Sequence, residues 1–410
     1  MLFAVAIFAT LITLFGIGLL SFDLLLFLAF ISFLGILIYC DRRKIKLEGI
    51  ILIRRTAKGR KTIDRIANSH RSFWKFMSIA GIIIAVPALL IISAFLINNS
   101  YLLVTKQTEE GAARLLLPAP VASPTSAPGI FFVPWWIWVV GVAVVVVPHE
   151  LFHGIMCRLE KIRIKSVGWI LLLFIPGAFV EPDENQLKKA RRLVKLKVYA
   201  AGSFANIVVG FTALIVLLFS ASSFSQVGSS FLVIKDSPAD MANLSGSIAE
   251  IDGMKISSLK DLQIALADKK PGDIIVVKAL KNKDVVPVFS GVTPKASVIV
   301  SGENTYSINL TQRPDNNTRA YFGIDGSSFI PAVTFLPGIQ FLFLYHLLFW
   351  IFLFSIGIGL VNLLPIKPLD GGLVFEELLG HTKKTKTIVK GISTVMLLLL
   401  IFNLVGPFFL

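Results

Sequence analysis

The stretch Val144-Val-Val-Val-Pro148-His149-Glu150-Leu151-Phe152-His153-Gly154 closes an apolar run that begins near Ile130 and ends at Arg158. A run of about 20 apolar residues crosses ~30 Å of hydrocarbon as a helix. Ionisable side chains within such a span cost about 2.5–3.5 kcal/mol each on insertion scales, so a His, a Glu and a His in one apolar run imply chemistry. Positions i and i+4 share a helix face, so His149 and His153 can hold one metal ion. Glu150 lies about 100° around the helix and stays free of the metal, in reach of a proton to be moved.

The rest of the chain agrees with a membrane setting. Of 410 residues, 55% are apolar, 11% aromatic and only 16% charged, yet the net charge is +15. Soluble domains carry about 25% charged residues, so an ordinary cytosolic enzyme is excluded, and so is a disordered chain. Apolar runs at 2–20, 24–40, 77–97, 130–157, 198–219, 338–364 and 388–408 predict seven spans. The first lacks a basic leader and a small-residue cleavage site, and reads as a retained anchor.

The basic residues set the orientation. Residues 42–75 hold 12 Lys/Arg, 158–197 hold 10 and 367–390 hold 5, together 27 of the 40. Residues 99–129 hold two, and 226–330 carry 11 basic and 11 acidic side chains. Positive loops stay in the cytoplasm, so the N-terminus and all three basic stretches face inward, and the neutral segments face outward. The sequons at Asn98, Asn243, Asn309 and Asn316 fall outside as well. Topology thus accounts for the positive charge, and nucleic acid is not expected as a partner. Cys40 and Cys157 end spans on the reducing side, where a structural disulfide is not expected.

Four regions follow: 1–129 with three spans, 130–225, 226–330 and 331–410. Within the first, 42–75 is expected to lie on anionic headgroups through Ile50, Ile51, Leu52 and Ile53, and the Pro-rich stretch 118–129 reads as a linker. Residues 167–180 are 14 apolar residues between basic flanks (Lys161, Arg163, Lys165; Lys188, Lys189, Arg191, Arg192), too few to span. With Gly168, Pro176 and Gly177 breaking any helix, they predict a re-entrant β-hairpin, viable at membrane depth when buried in protein or lining a cavity. An interfacial loop without a role is the plainer alternative. In 226–330, Phe231–Ile234 and Ile274–Val277 read as strands. Ser237-Pro238-Ala239, Gly246-Ser247-Ile248, Ile251-Asp252-Gly253, Ile256, Asp261-Leu262 and Pro271-Gly272-Asp273 together resemble a PDZ domain, whose groove takes extended peptide by strand addition.

Catalytic zinc sites use three protein ligands and leave one position open. Of the five histidines, His70 and His381 lie in basic loops, and His346 is the only other one within a span, at mid-bilayer depth. Asp370 is the stronger candidate for the third ligand. It sits in Asn362-Leu-Leu-Pro365-Ile-Lys367-Pro368-Leu369-Asp370-Gly371-Gly372, at the cytoplasmic end of the sixth span. At 1.5 Å per residue, His149 and His153 lie roughly 14 and 8 Å inward from Arg158, a depth Asp370 can reach.

His149-Glu150-x-x-His153 in one span, Asn362-x-x-Pro365-x-x-x-Leu369-Asp370-Gly371 in a later one, and a PDZ-like insert between them resemble the site-2 protease family of intramembrane zinc metalloproteases. The likeness covers about residues 130–372. Phe174-Ile-Pro-Gly-Ala-Phe-Val-Glu-Pro-Asp-Glu184 is similar to that family's membrane-inserted hairpin. Ala201-Gly202-Ser203-Phe204-Ala205-Asn206 is similar to its Gly-Pro-x-x-Asn, with Ser203 in place of Pro. The resemblance implies one zinc ion on His149, His153 and Asp370, Glu150 as catalytic base, and Asn362 holding the substrate carbonyl or the developing oxyanion. For Asn362 a helix-to-helix hydrogen bond is the alternative. The expected protein is a polytopic α-helical membrane protein of the cell membrane with a re-entrant β-hairpin and an extracytoplasmic PDZ-like domain. Its expected partners are the bilayer and transmembrane protein substrates already shortened by an earlier cut, as in regulated intramembrane proteolysis. Other readings are a zinc transporter or metal-sensing receptor, which would need a polar path through the apolar outer halves of these spans. A prenyl-protein type protease would use a downstream Glu as third ligand. An inactive PDZ scaffold would have no use for intact ligands and Glu150.

Overall fold

Apolar runs satisfy their backbone groups internally by forming helices, while the β-branched stretches between them pair as strands. The computed structural model describes residues 2–120, 125–127, 129–172, 175–290, 293–313, 316–338 and 341–409. The chain forms two compact units, Met1–Ala213 with Trp350–Leu410, and Leu214–Phe349.

The first unit opens with helices α1 (Leu2–Gly16) and α2 (Phe22–Asp41). Strands β1 (Ile45–Glu48) and β2 (Ile51–Thr56) lead to α3 (Lys58–Ser69) and α4 (Arg71–Val104). Three short strands, β3 (Leu115–Ala119), β4 (Thr125–Ala127) and β5 (Ile130–Pro134), form one small sheet with β5 at its centre. Helix α5 (Trp135–Leu159) carries the HExxH motif and runs unbroken through Pro148. Strands β6 (Ile164–Leu172) and β7 (Ile175–Pro182) are the predicted hairpin, followed by α6 (Glu184–Lys189) and α7 (Arg192–Ser220). Residues 173 and 174, including the Phe174 of the family-like stretch, lie outside the described residues.

The second unit is β-rich, as its composition predicts. It contains β8 (Phe224–Val233), α8 (Pro238–Met241), β9 (Ser247–Ile251), β10 (Met254–Lys255) and α9 (Leu259–Ala267). Then come the long hairpin β11 (Ile274–Ser290) and β12 (Thr293–Asn309), the short pair β13 (Thr311–Arg313) and β14 (Asn316–Tyr321), and β15 (Ile324–Phe335). The sheet order is β10-β9-β11-β12-β15-β8, and β8 also pairs with β9 at Ser229↔Ile248, which closes five strands into a ring. Ile248, Ile251, Ile256, Ile275, Val277 and Ile308 fill it. Ser237 and Ser258 cap α8 and α9, accepting from the N–H groups of Asp240 and Asp261. The chain returns through α10 (Leu342–Asn362), α11 (Asp370–Leu379) and α12 (Lys383–Val405).

Among the described residues six helices are long and apolar enough to cross a membrane: α2, α4, α5, α7, α10 and α12. The molecule is a polytopic membrane protein with a β-rich unit. Of the seven expected spans, the first is not among these six: α1 stops after 15 residues at Gly16, and Gly18 follows at φ +76°; 15 residues cover about 22 Å.

Two segments expected as loop and linker carry regular structure. Residues 42–75 are more than a loop: β2 pairs antiparallel with β6, from Ile51↔Leu172 to Thr56↔Val167, giving a sheet of order β1-β2-β6-β7. Helix α3 then buries Ile63 and Ala67 against Ile155 and Met156 of α5, while its Asp64 pairs with Arg158. Arg60 donates to the Lys165 carbonyl at 3.1 Å. Of the stretch 118–129, Pro118 and Ala119 end β3 and Thr125–Ala127 form β4, so these described residues are no plain linker.

Candidate metal centre

In α5 the imidazoles of His149 and His153 stand one turn apart with their Nε2 atoms 3.2 Å from each other. Asp370 reaches the same point from the first residue of α11, its Oδ2 3.4 Å from His149 Nε2 and its Oδ1 3.4 Å from His153 Nε2. The three ligand atoms all lie within 4.8 Å of one another, and the side chains are 12%, 17% and 13% exposed. Asp370 is delivered by the turn between α10 and α11. A Cβ on Gly371 would meet the Leu363 backbone, and one on Gly372 would come within 2.6 Å of the Ile366 carbonyl. The two glycines after Asp370 therefore let α11 start directly against the end of α10.

The tautomer of His153 is fixed by its surroundings. Its Nδ1 lies 2.7 Å from the Val198 carbonyl oxygen, which can only accept, so Nδ1 carries the proton and Nε2 of the neutral ring keeps its lone pair toward the cluster. Two nitrogen donors and one carboxylate converging in this way fit the ligand set of a catalytic zinc site. Space fits too. A Cβ on Gly202 would collide with the Nε2 atoms of both histidines, so α7 passes closely behind the ligand atoms without filling the point where they converge.

Glu150 lies beside this cluster rather than in it. Its Oε2 accepts the Val180 N–H of β7 at 2.9 Å, which ties the carboxylate to the hairpin. Sequence reasoning found His149, Glu150, His153 and Asp370, and the structure brings all four to one place. Asn362 ends α10 half-buried, and no hydrogen bond joins it to the three ligand residues among the described residues. His346 lies in α10 within the second unit, His70 sits between α3 and α4, and His381 pairs with Glu377 at 2.9 Å. None of these supplies a ligand. Cys157 is buried and Cys40 exposed, both free thiols.

Other contacts were not evident from sequence. The Ser203 hydroxyl donates to Asp370 Oδ2 at 3.0 Å, and the Asn206 amide lies 3.1 Å from His149 Nδ1. The Ala201–Asn206 stretch shows a family-like pattern, but a bond from Ser203 to a residue 167 positions later leaves no local mark. Val198 acts through its carbonyl, which any residue has. Gly202→Ala tests the geometry: the added methyl pushes the imidazoles apart, and zinc bound to the purified protein, read by elemental analysis, falls at least about tenfold. Zinc retained at the wild-type level would show that the ligand atoms do not converge against α7.

The family model for Peptidase family M50 matches residues 137–403, from α5 into α12. An uncharacterized protein of Methanocaldococcus jannaschii is 27% identical over 358 residues, which is 85% of this chain and 84% of that protein. Members of the M50 family are zinc metalloproteases of membranes. The matched residues cover more than half of the chain and contain the whole cluster, so this chain belongs to the site-2 protease family, peptidase family M50.

Proposed function

We propose that this chain is a zinc metalloendopeptidase that cuts transmembrane segments of membrane proteins, near the cytoplasmic side of the bilayer. The observation that carries the reading is the convergence of His149, His153 and Asp370 within 4.8 Å, with Glu150 held beside them. Zinc on these three residues supplies a Lewis acid that polarises a peptide carbonyl and lowers the pKa of water toward ~7. Glu150 accepts the proton from the attacking water and delivers it to the leaving amine; the Val180 N–H keeps its carboxylate aimed for both transfers. The Asn362 amide is assigned to the substrate carbonyl and its developing oxyanion, the role such donors play in acyl transfer. The basic stretches 42–75, 158–197 and 367–390 support an orientation with this site toward the cytoplasm.

A helical substrate hides its carbonyls in internal hydrogen bonds and must unwind before it is cut. The unwound stretch then needs backbone partners. In the sheet β1-β2-β6-β7, β2 covers β6, and β7 is a terminal strand beside Glu150. Since the Val180 N–H is given to Glu150, it points away from β6. With the alternation of an antiparallel strand, Ala178 points its N–H and C=O to the same side. We assign this edge to the substrate, added as a further strand. The closed strands and two capped helices of the second unit support a PDZ-like module, to which we assign selection of substrates already shortened outside the membrane.

Cleavage of a single-span substrate in liposomes tests the assignment. Glu150→Gln lowers cleavage by on the order of 10²–10⁴-fold while zinc stays bound, and Asp370→Ala loses the zinc. Equal product from wild type and Glu150→Gln would overturn the protease reading. Ala178→Pro removes one outward N–H and leaves the β6 pairing in place; it slows cleavage on the order of tenfold, the cost of about 1.4 kcal/mol for one lost hydrogen bond, with zinc content unchanged. Unchanged cleavage would remove β7 from substrate binding.

A further inference from the structure

We propose that one face of α7 orients all three ligand residues, with Ser203 and Asn206 as the positioning residues that set zinc affinity. The inference rests on the zinc reading above and concerns residues to which no ligand role attaches. Val198, Gly202, Ser203 and Asn206 fall within about 140° of arc on the helix, and each serves the cluster. The Val198 carbonyl accepts from His153 Nδ1 at 2.7 Å. Gly202 leaves room for both Nε2 atoms. Ser203, wholly buried, donates to Asp370 Oδ2 at 3.0 Å. Asn206, also wholly buried, meets His149 Nδ1 at 3.1 Å.

Asn206 bears on which nitrogen of His149 is free to be a ligand, beside the Gly202 backbone that also touches this ring. As placed, its Nδ2 faces His149 Nδ1, and its Oδ1 is buried without a hydrogen-bond partner among the described residues. A donor facing Nδ1 puts the ring proton on Nε2, the nitrogen aimed at Asp370 and His153, and a protonated nitrogen binds no metal. Amide orientation is set by the hydrogen-bond network and not by the shape of the group. With the amide turned, Oδ1 accepts the proton of Nδ1, and the Nε2 lone pair joins the cluster. Asn206 thereby does for His149 what the Val198 carbonyl does for His153. Ser203 does the equivalent for the carboxylate: by holding Oδ2 it fixes the rotation of Asp370. Where the related motif has Pro, which offers no donor, this chain has a hydroxyl aimed at its third ligand.

The test is the zinc dissociation constant of the full-length protein in detergent, measured by competition with a chelator at neutral pH. Helical content and gel-filtration profile serve as the fold check. Ser203→Ala and Asn206→Leu bind zinc about 10–100-fold more weakly, the usual cost of removing such a partner. Asn206→Asp, which keeps an acceptor and loses the NH₂, stays within about threefold of wild type or binds more tightly, since a carboxylate behind a ligating His serves the same purpose. Wild-type affinity in Asn206→Leu would overturn the proposal. So would Asn206→Asp as weak as Asn206→Leu in a folded protein, because the NH₂ would then be the working group. A wild-type protein that binds no zinc would instead refute the zinc reading itself.

Discussion

Two imidazole nitrogens 3.2 Å apart, facing one carboxylate at 3.4 Å, are the arrangement on which the rest of the structure depends. Polar groups in a spanning helix are costly singly, and a cluster of them must be mutually compensated. The fold makes that compensation geometric. One helix turn sets the spacing of His149 and His153. A broken helix, restarting at Asp370, brings in the carboxylate. The face of α7 behind them offers a carbonyl, a hydroxyl and an amide where the ligands need partners, and a glycine where they need room.

Packing explains how such a site stays assembled. On one side Ile155, Met156 and Cys157 of α5 are buried with Ile63 and Ala67 of α3 and with Val198 and Ala201 of α7. On the other, Ala85 and Leu89 of α4 meet Leu196, Ala200 and Ile207 of α7, with Leu363 and Val374 flanking the turn that carries Asp370. Helix α7 therefore belongs to both cores. A shift of α7 would move the hydrogen-bond partners of His149, His153 and Asp370 together. The hairpin β6–β7 is tied in by the Val180 N–H on Glu150 and by β2 along its other edge, so Glu150 and the strand beside it form one assembly.

What the sequence reveals follows the range of the interactions. His149 and His153 are legible because i and i+4 adjacency is local. Asp370 is legible because Pro365, Pro368 and the Gly pair announce a broken helix. The hairpin shows as an apolar stretch too short to span between basic flanks. The partner of that hairpin does not show: Ile51, Leu52 and Ile53 read equally well as an interfacial face, and their pairing with Leu172, Leu171 and Ile170 joins distant segments with no local trace. The same holds for Ser203 on Asp370, and more so for Val198, whose contribution is a backbone carbonyl. The stretch 118–129 misleads in the opposite sense, since Pro and Ser usually mark linkers, whereas Pro118 and Ser126 lie within short strands. In α1, Gly16 and Gly18 end the helix although the apolar run continues.

X-ray absorption at the zinc edge, recorded on the purified full-length protein, tests the central claim most directly. The account predicts a first shell of two imidazole nitrogens at about 2.0–2.1 Å with oxygen at about 2.0–2.2 Å and no sulfur, reduced to an incomplete or absent shell in Asp370→Ala. A sulfur ligand at about 2.3 Å, or a shell unchanged by Asp370→Ala, would contradict it.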